Sequence, residues 1–409
     1  MAGKNTLIYP NMSFTLLNSI PIQSLAGNPM AVRVKADDNW QNNTTYAIRV
    51  SLEVEPVFRS GSFTVVDQWD QDPEPTSGEV IWDFQHTLES YVRKDPPAWP
   101  ATLPRVHSES IKRYRYTIYE IVDGSVSSQF SSNISYVLRG ALHHLDGQVI
   151  FQKFNQGSLG LLKNRFLTHA PRSGMALTIH QPYFLSMLNT DATTLRVLVE
   201  VVFSDSTSEI IQPYSIVSLE AYDVLEIPVG YEQLKLGSLE KEVSGWGVYV
   251  SNDAGTVLTE KMNFLVTRSF PYDRYWLWEN SFGCYEVLRT YGINTTSLDV
   301  SRLRARRSLS PLSAGGRQFR TYGTTSQVGS EVHSGFLEAG HEALAQDFLQ
   351  TEDLYRIGEE GPNLKASGTP YPLEFNNTEM TLQRDEDPLV SFKFEVRNAF
   401  LSKGVKLGF

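Results

Sequence analysis

The sequence has one cysteine, no long apolar run and fewer basic than acidic residues. The single Cys284 excludes an intrachain disulfide and a cysteine-rich zinc site. Polar residues and prolines at Pro10, Asn11, Asn18 and Pro21 interrupt the first apolar stretches, which predicts no signal peptide. No stretch reaches the roughly 18 apolar residues of a membrane-spanning helix. The net charge of −10 is opposite in sign to that of a typical nucleic-acid-binding protein, which argues against such a role.

The residues that are present indicate a globular, strand-rich protein. Its 409 residues predict two to four domains, at roughly 100–200 residues each. Hydrophobic residues make up 41% of the chain, enough for each domain to bury a core, and aromatic residues make up 11%. Because aromatic side chains suit the half-buried surface of a sheet, the composition favours β structure.

The N-terminal region predicts an immunoglobulin-like sandwich, assigned to residues 1–125. Residues 31–35 and 46–54 alternate apolar and polar side chains, the period of a strand buried on one face. The polar stretch 36–43 between them predicts that the two strands form a hairpin. Further strands are predicted at 62–66, 80–84 and 114–122.

Two further β-domains are predicted after the polar stretch 125–132. The second, residues 126–235, contains a hairpin of residues 195–203 and 209–211 around the turn 204–207. The third, residues 236–409, contains the strands 245–250 and 258–267, predicted to pair. The predicted fold class is therefore mainly β, with tandem immunoglobulin-like β-sandwich domains and a short helical element in the C-terminal region.

The third domain has two features that differ from the rest of the chain. Apolar residues recur at helical spacing over residues 336–355, which predicts a helix. Before it, the segment 302–320 contains serines, glycines and a cluster of arginines, and is predicted to be a loop. The arginines are Arg302, Arg304, Arg306, Arg307, Arg317 and Arg320. With few aromatic partners and an acidic chain around it, this segment fits an interface with an acidic protein better than a nucleic-acid site.

No motif for catalysis or for a cofactor is complete. His341-Glu342 begins a zinc-protease helix motif, but Ala345 occupies the position of the second histidine. The adjacent His143 and His144 would point to opposite faces of a strand. The buried-thiol interpretation of Cys284 is preferred over a nucleophile, because no paired histidine is identifiable. The sequence thus predicts no enzyme, metal site or cofactor.

The acidic run 67–74 allows two interpretations. Its carboxylates could hold calcium, but the run lacks the glycine of an EF-hand loop, and Pro73 restricts it further. An exposed acidic loop is the simpler interpretation. Carboxylate pairs suited to glycoside hydrolysis cannot be identified from sequence spacing alone.

Ordered motifs across most of the chain resemble a family of virion proteins encoded by tailed phages and prophages of Bacteroidota. The motifs are Gly27-Asn-Pro29, Val80-Ile-Trp-Asp-Phe84, Tyr116-Thr-Ile-Tyr-Glu120, Tyr136-Val-Leu-Arg-Gly140, Arg165-Phe-Leu-Thr168, Gln181-Pro-Tyr-Phe-Leu185, Ile227-Pro-Val-Gly-Tyr231 and Trp278-Glu-Asn-Ser-Phe-Gly-Cys-Tyr-Glu-Val-Leu288, followed by the C-terminal helix and the strand 390–396. Where the family tends to have a second glycine, this chain has Cys284, so a backbone role of that glycine is in doubt. The resemblance supplies no catalytic residue.

The resemblance implies a structural tail component, at the tail tip or baseplate, assembled in the host cytoplasm and present in several copies. Its expected partners are other tail or baseplate proteins and further copies of itself, with no membrane. Two alternatives remain open. A glycan- or receptor-binding module would use exposed aromatics such as Trp69 or Trp99, and a secreted glycoside hydrolase would need a cleft with paired carboxylates of perturbed pKa.

Overall fold

The computed structural model describes residues 14–20, 22–97, 101–142, 165–172, 174–189, 194–306, 319–337, 341–357, 370–376, 391–400 and 402–403. Within these ranges the protein is mainly β, as the sequence predicts, and it has two short α-helices, α1 (Gln85–Glu89) and α2 (Glu342–Phe348).

The strands follow one another with short connections through most of the described chain. The first thirteen are β1 (Thr15–Asn18), β2 (Gln23–Leu25), β3 (Ala31–Lys35), β4 (Tyr46–Val54), β5 (Thr64–Gln71), β6 (Glu79–Asp83), β7 (Arg105–Val106), β8 (Ile111–Val122), β9 (Ser125–Ser131), β10 (Ser135–Leu138), β11 (Met175–Thr178), β12 (Phe184–Leu188) and β13 (Leu195–Phe203). The remaining strands are β14 (Ser208–Ile216), β15 (Val224–Pro228), β16 (Val243–Asn252), β17 (Met262–Thr267), β18 (Arg274–Glu279), β19 (Tyr285–Thr290), β20 (Asn294–Arg306), β21 (Phe319–His333), β22 (Leu354–Ile357), β23 (Tyr371–Phe375), β24 (Lys393–Asn398) and β25 (Ser402–Lys403).

The N-terminal strands form a two-sheet sandwich. Sheet 1 has the order β1-β3-β6, and sheet 2 has the order β2-β10-β8-β4-β5 with β9 also paired to β8. Val32 and Val34 of sheet 1 share one buried core with Val50, Leu52 and Ile118 of sheet 2. Because side chains alternate along each strand, one apolar face per sheet is enough to build this core.

The other strands form three sheets around one continuous core. Their orders are β11-β17-β16-β13-β14 in sheet 3, β12-β15-β7 in sheet 4 and β19-β18-β22-β23-β24-β21-β20 in sheet 5, where β25 also pairs with β21. Trp246 of sheet 3, Ile227 of sheet 4 and Trp276 of sheet 5 belong to the same buried cluster. We call the N-terminal sandwich the first body and these three sheets with their core the second body. A smaller cluster that includes Leu138 and Cys284 packs between the two bodies.

Neither predicted domain boundary coincides with the edge of a sheet. The division between residues 125 and 126 falls inside the β8–β9 hairpin, which turns over Asp123 and Gly124 at φ values of +50° and +78°. Positive φ at both turn positions matches the twist of a two-residue hairpin. The division between 235 and 236 cuts sheet 3, since β13 lies before it and pairs with β16 after it.

The predicted hairpin of residues 31–35 and 46–54 is wrong in its pairing. Both strands form over the predicted residues, as β3 and β4. However, β3 pairs with β1 and β6 in sheet 1, whereas β4 pairs with β5 and β8 in sheet 2. Alternation identifies the buried face of a strand but not its neighbour, so the two strands face each other across the core.

The predicted helix 336–355 is also wrong in extent, because among the described residues of this range only Glu342–Phe348 are helical. Leu337, Leu344, Phe348 and Leu354 are all buried, but they reach the core from different elements. Leu354 begins β22, which pairs with β18. A shared core therefore produced an apolar spacing that resembled one continuous helix. The predicted pairing of 195–203 with 209–211 is confirmed as β13 with β14, although β14 is longer, at Ser208–Ile216. The predicted pairing of 245–250 with 258–267 is confirmed as β16 with β17, although β17 begins only at Met262.

Candidate protein interface

The predicted arginine loop is largely part of a long β-hairpin. β20 and β21 pair from Asn294↔Val332 to Arg306↔Phe319, with one irregularity near Leu303. On its other side, β21 pairs with β24 over residues 329–333 and with β25 at 325–326. The described part of β21 before residue 325 therefore has only β20 as a partner. The far half of the hairpin extends beyond the rest of sheet 5.

The outer strand of this hairpin is exposed on both faces. β20 is the terminal strand of sheet 5, and residues 295–304 are all exposed to solvent. The exposed fraction is 60% for Leu298 and 54% for Leu303. On β21, Tyr322 lies at the irregularity in the pairing and is 68% exposed. Large apolar side chains on a free strand edge are typical of a surface that another chain covers.

Arg302 and Arg304 lie on the same face of β20 as Leu298 and Val300, because side chains alternate along a strand. Asp299 points to the opposite face. In the described part of the protein, neither guanidinium forms an ion pair with a carboxylate. This face thus combines apolar side chains with two unpaired positive charges.

The structure places the other four predicted arginines less completely. Arg306 ends β20 and Arg320 lies in β21, opposite Ala305. Arg307 and Arg317 lie outside the described residues. The loop prediction 302–320 is therefore wrong for residues 302–306 and 319–320, which are strand. Serine and glycine suggested a loop, but the thirteen-position ladder with β21 holds these residues in strand conformation.

A polar cavity of about 240 Å³ lies between the two bodies, where the turn after β18 meets α2 and residues 139–141. Arg139 donates to both carboxylate oxygens of Glu279, at 2.7 Å for Nη2 to Oε2, and to Asp353 at 3.0 Å. Burial raises the pKa of Glu279, although the Arg139 guanidinium opposes this. Burial also raises the pKa of Asp347, another carboxyl of the lining. Sequence reasoning missed this cavity, since its residues are far apart in the chain.

Ser281 and Asp347 of this cavity lining also contact His169, but the three side chains do not form a catalytic relay. Nε2 of His169 lies 2.9 Å from Oγ of Ser281 and 3.7 Å from Oδ2 of Asp347. A relay needs the serine and the carboxylate on opposite nitrogens of the ring, and here both face the same nitrogen. Asp347 also accepts hydrogen bonds from the backbone N–H of Ser281 at 3.1 Å. The cluster therefore ties the β18–β19 turn to α2.

A second polar group is buried beside β15 of sheet 4, where Lys94 and His107 meet Glu226. Oε2 of Glu226 lies 3.6 Å from Nζ of Lys94 and 3.4 Å from Nε2 of His107, and all three side chains are almost fully buried. Burial lowers the pKa of His107. Burial acts to raise the pKa of Glu226, but His107 and Lys94 outweigh it and the pKa is lowered. These buried side chains link Lys94 and His107 to β15 and do not line the cavity.

Cys284 is buried, as predicted for a small apolar side chain. It lies in the turn between β18 and β19, where Asn280 donates its backbone N–H to Cys284 O at 2.7 Å. The left-handed residue of this turn is Gly283, with φ +69°. Cys284 is not among the residues with positive φ, so its position does not require the glycine that the resembled family tends to have.

The other residues singled out in the sequence have structural surroundings. In the acidic run, Asp70 pairs with Arg49 at 2.6 Å, and hydrogen bonds from Ser77 and Thr76 lower the pKa of Glu74 to about 2. Trp69 is half-buried and stacks on Phe84. His341 is buried at the start of α2. Trp99, His143 and His144 lie outside the described residues.

Neither the described part of the structure nor comparisons with known proteins point to a metal site, a membrane-spanning helix or a protein family. Over the described ranges, no group of three or more His, Cys, Asp or Glu side chains is placed to hold a metal ion. No helix of the described chain is long and apolar enough to cross a membrane. No protein-family model matches the sequence, and a search of curated proteins finds no match.

Proposed function

We propose that this protein is a structural component of a phage tail, at the tail tip or baseplate, that acts through protein–protein contacts in a multi-copy assembly. The observation that supports this most is the β20–β21 hairpin, a long projection with an exposed edge, exposed apolar side chains and two arginines that have no ion pair in the described part of the protein. At its base Val332 of β21 is buried in the core, whereas residues 295–304 of β20 are all exposed and add nothing to that core. This exposed part fits a contact with another subunit.

The rest of the fold suits a rigid spacer that presents this hairpin. β7 lies near the sandwich in sequence but pairs with β15 of the second body. Arg59 forms an ion pair with Asp223 at 2.8 Å, and Arg139 reaches Glu279 and Asp353 across the same junction. Strand pairing and partly buried ion pairs at several points resist hinge motion between the two bodies.

The proposal assigns the protein to the virion, with assembly in the host cytoplasm and with other tail or baseplate proteins as partners. It gives the protein no catalytic role and no cofactor. The resemblance to virion proteins of Bacteroidota phages supplies the tail setting, and the hairpin supplies the mode of contact.

The test is fractionation of a lysate from the producing culture on a density gradient, with this protein followed by antibody. We expect it to sediment with particles, and gold labelling to place it on the tail. A variant phage with Arg302→Glu and Arg304→Glu should lose the protein from its particles, whereas Arg196→Glu, on the exposed face of β13, should not. Recovery of the wild-type protein only in the soluble or secreted fraction would contradict the proposal.

Glycoside hydrolysis is the second candidate, because Glu279 and Asp347 both line the cavity and both have a raised pKa. A general acid must hold a proton at neutral pH, and the contact with Arg139 favours the charged form of Glu279. Release of reducing sugar from host capsule or cell-wall glycans, abolished by Asp347→Asn, would favour this candidate. Absence of release would leave the structural proposal in place.

A further inference from the structure

The protein has two exposed edge strands of opposite charge, one in each body. β20 ends sheet 5, and β5 ends sheet 2 beyond β4. β5 is half-buried to exposed along its whole length, and Val65 is 60% exposed. No described strand pairs with the outer edge of either one. Each edge therefore presents unpaired backbone N–H and C=O groups that a further strand could bond.

The charges on these edges are complementary. β5 contains Asp67 and Asp70 and no basic residue, and Asp72 follows directly after it. Asp70 is already paired with Arg49, but no described cation pairs with Asp67 or Asp72. β20 presents Arg302 and Arg304, which also have no described partner. One edge thus carries negative charge without a described cation, and the other carries positive charge without a described carboxylate.

Other exposed edges lack this complementarity. β9 has the sequence SVSSQFS, with no charged residue. β14 has a single acidic residue, Glu209, and contains Pro213, which cannot donate a backbone hydrogen bond. β6 also ends a sheet and contains Glu79 and Asp83, but Glu79 pairs with Arg33 and Asp83 accepts hydrogen bonds from the backbone N–H groups of Met30 and Gln85. Among these described edge strands, β5 is the one that keeps carboxylates without a described cation, which suits the arginines of β20.

We propose that β20 of one copy adds to the β5 edge of a second copy, so that copies join head to tail. This rests on the multi-copy assembly proposed above and names its contact. The two surfaces differ, so the contact is heterologous, and repetition produces a ring if the rotation closes. Backbone hydrogen bonds supply the pairing, the charges orient it, and exposed Leu298 and Val65 lose contact with water.

Sedimentation velocity of the full chain at rising concentration and low salt tests this contact. Wild-type protein should form oligomers, and added salt should dissociate them because the charges are exposed. Arg302→Glu/Arg304→Glu and Asp67→Lys/Asp72→Lys should each weaken self-association by about tenfold or more. An equimolar mixture of these two variants should associate again, because the reversed β20 of the first variant is negative and the reversed β5 of the second is positive.

A control with the same change in net charge is Arg196→Glu/Lys241→Glu, which reverses two partly exposed positive charges that pair with Asp253 and Asp205 on sheet 3 and beside it. It should associate like the wild type, and circular dichroism should show all variants folded. A wild-type chain that stays monomeric at its highest soluble concentration would overturn the head-to-tail contact. So would an Asp67→Lys/Asp72→Lys variant that associates as the wild type does, which would indicate β20 pairing with itself. Co-sedimentation with particles judges the tail role separately.

Discussion

β4 of the N-terminal sandwich and β20 of the β20–β21 hairpin both pair with antiparallel neighbours, but they place their apolar side chains in opposite environments. In β4, Ile48, Val50, Leu52 and Val54 are completely buried between sheets 1 and 2. In β20, every residue from 295 to 304 is exposed, including Leu298 and Leu303. Both strands therefore form backbone hydrogen bonds, and they differ in the burial of their side chains. β4 stabilises the core, whereas the side chains of β20 are available for contacts with another chain.

The largest effect should come from truncating the same residue type in each region. Leu52→Ala should lower the free energy of unfolding by about 2–5 kcal/mol, because it removes buried methyl groups and leaves a cavity. Leu298→Ala, at an exposed position, should change it by no more than about 0.5 kcal/mol. Urea denaturation of both variants measures the difference. Equal losses would mean that the hairpin is packed against the protein after all.

A second comparison uses two left-handed glycines, one in a close-packed turn and one in an open turn. An alanine Cβ at Gly283 would lie 2.3 Å from Arg139 O, while one at Gly61 would meet no atom within 4 Å. Gly283→Ala combines backbone strain with overpacking and should destabilise by about 2–4 kcal/mol. Gly61→Ala has the strain alone and should cost about 1–2 kcal/mol. Thermal unfolding that ranks Gly61→Ala as the worse variant would contradict this reading.

Buried and exposed glutamates should differ in their effect on pH dependence. Burial raises the pKa of Glu286 to about 7. The folded state therefore holds a proton that the unfolded state releases above its ordinary pKa near 4.3, so stability should fall as pH rises from about 4.3 to about 7, by up to roughly 3–4 kcal/mol.

The matched variants are Glu286→Gln and the exposed Glu209→Gln. The first should remove this fall in stability between the two pH values, and the second should retain it. Urea denaturation across that pH range provides the measurement. A Glu286→Gln protein with the pH profile of the wild type would show that the buried carboxyl does not titrate as described.

The smallest effect on stability is expected at the hairpin arginines. Arg302→Ala/Arg304→Ala should change the free energy of unfolding by no more than about 0.5 kcal/mol, because neither side chain has a described ion pair or is buried. The same variant should assemble less well in the sedimentation experiment. A large loss of stability would place the arginines in the fold and not in an interface.

The sequence predicted single strands better than their neighbours. β3 and β4 form over the predicted residues, because alternation is a local property that a few side chains reveal. Their pairing was wrong, because the choice of sheet depends on β1, β5, β6 and β8. The predicted helix failed for a related reason, since Leu354 takes its position from pairing with β18.

The candidate site was predictable only in part. The arginine cluster pointed to residues 302–320, but sequence could not show that β20 is an edge strand with one apolar and basic face. The cavity had no sequence signal, because Arg139 and Glu279 are 140 positions apart. Sheet order brings such residues together, and sheet order was the part of the fold that local patterns left open.

The most direct test of the central claim is the protein content of purified particles from phage carrying Arg302→Glu and Arg304→Glu, compared with wild-type and Arg196→Glu phage. The account predicts that the doubly reversed protein is folded and soluble in the lysate but missing from the particles, while Arg196→Glu protein is incorporated normally. Normal incorporation of the doubly reversed protein would contradict the assignment of the β20–β21 hairpin as the assembly interface.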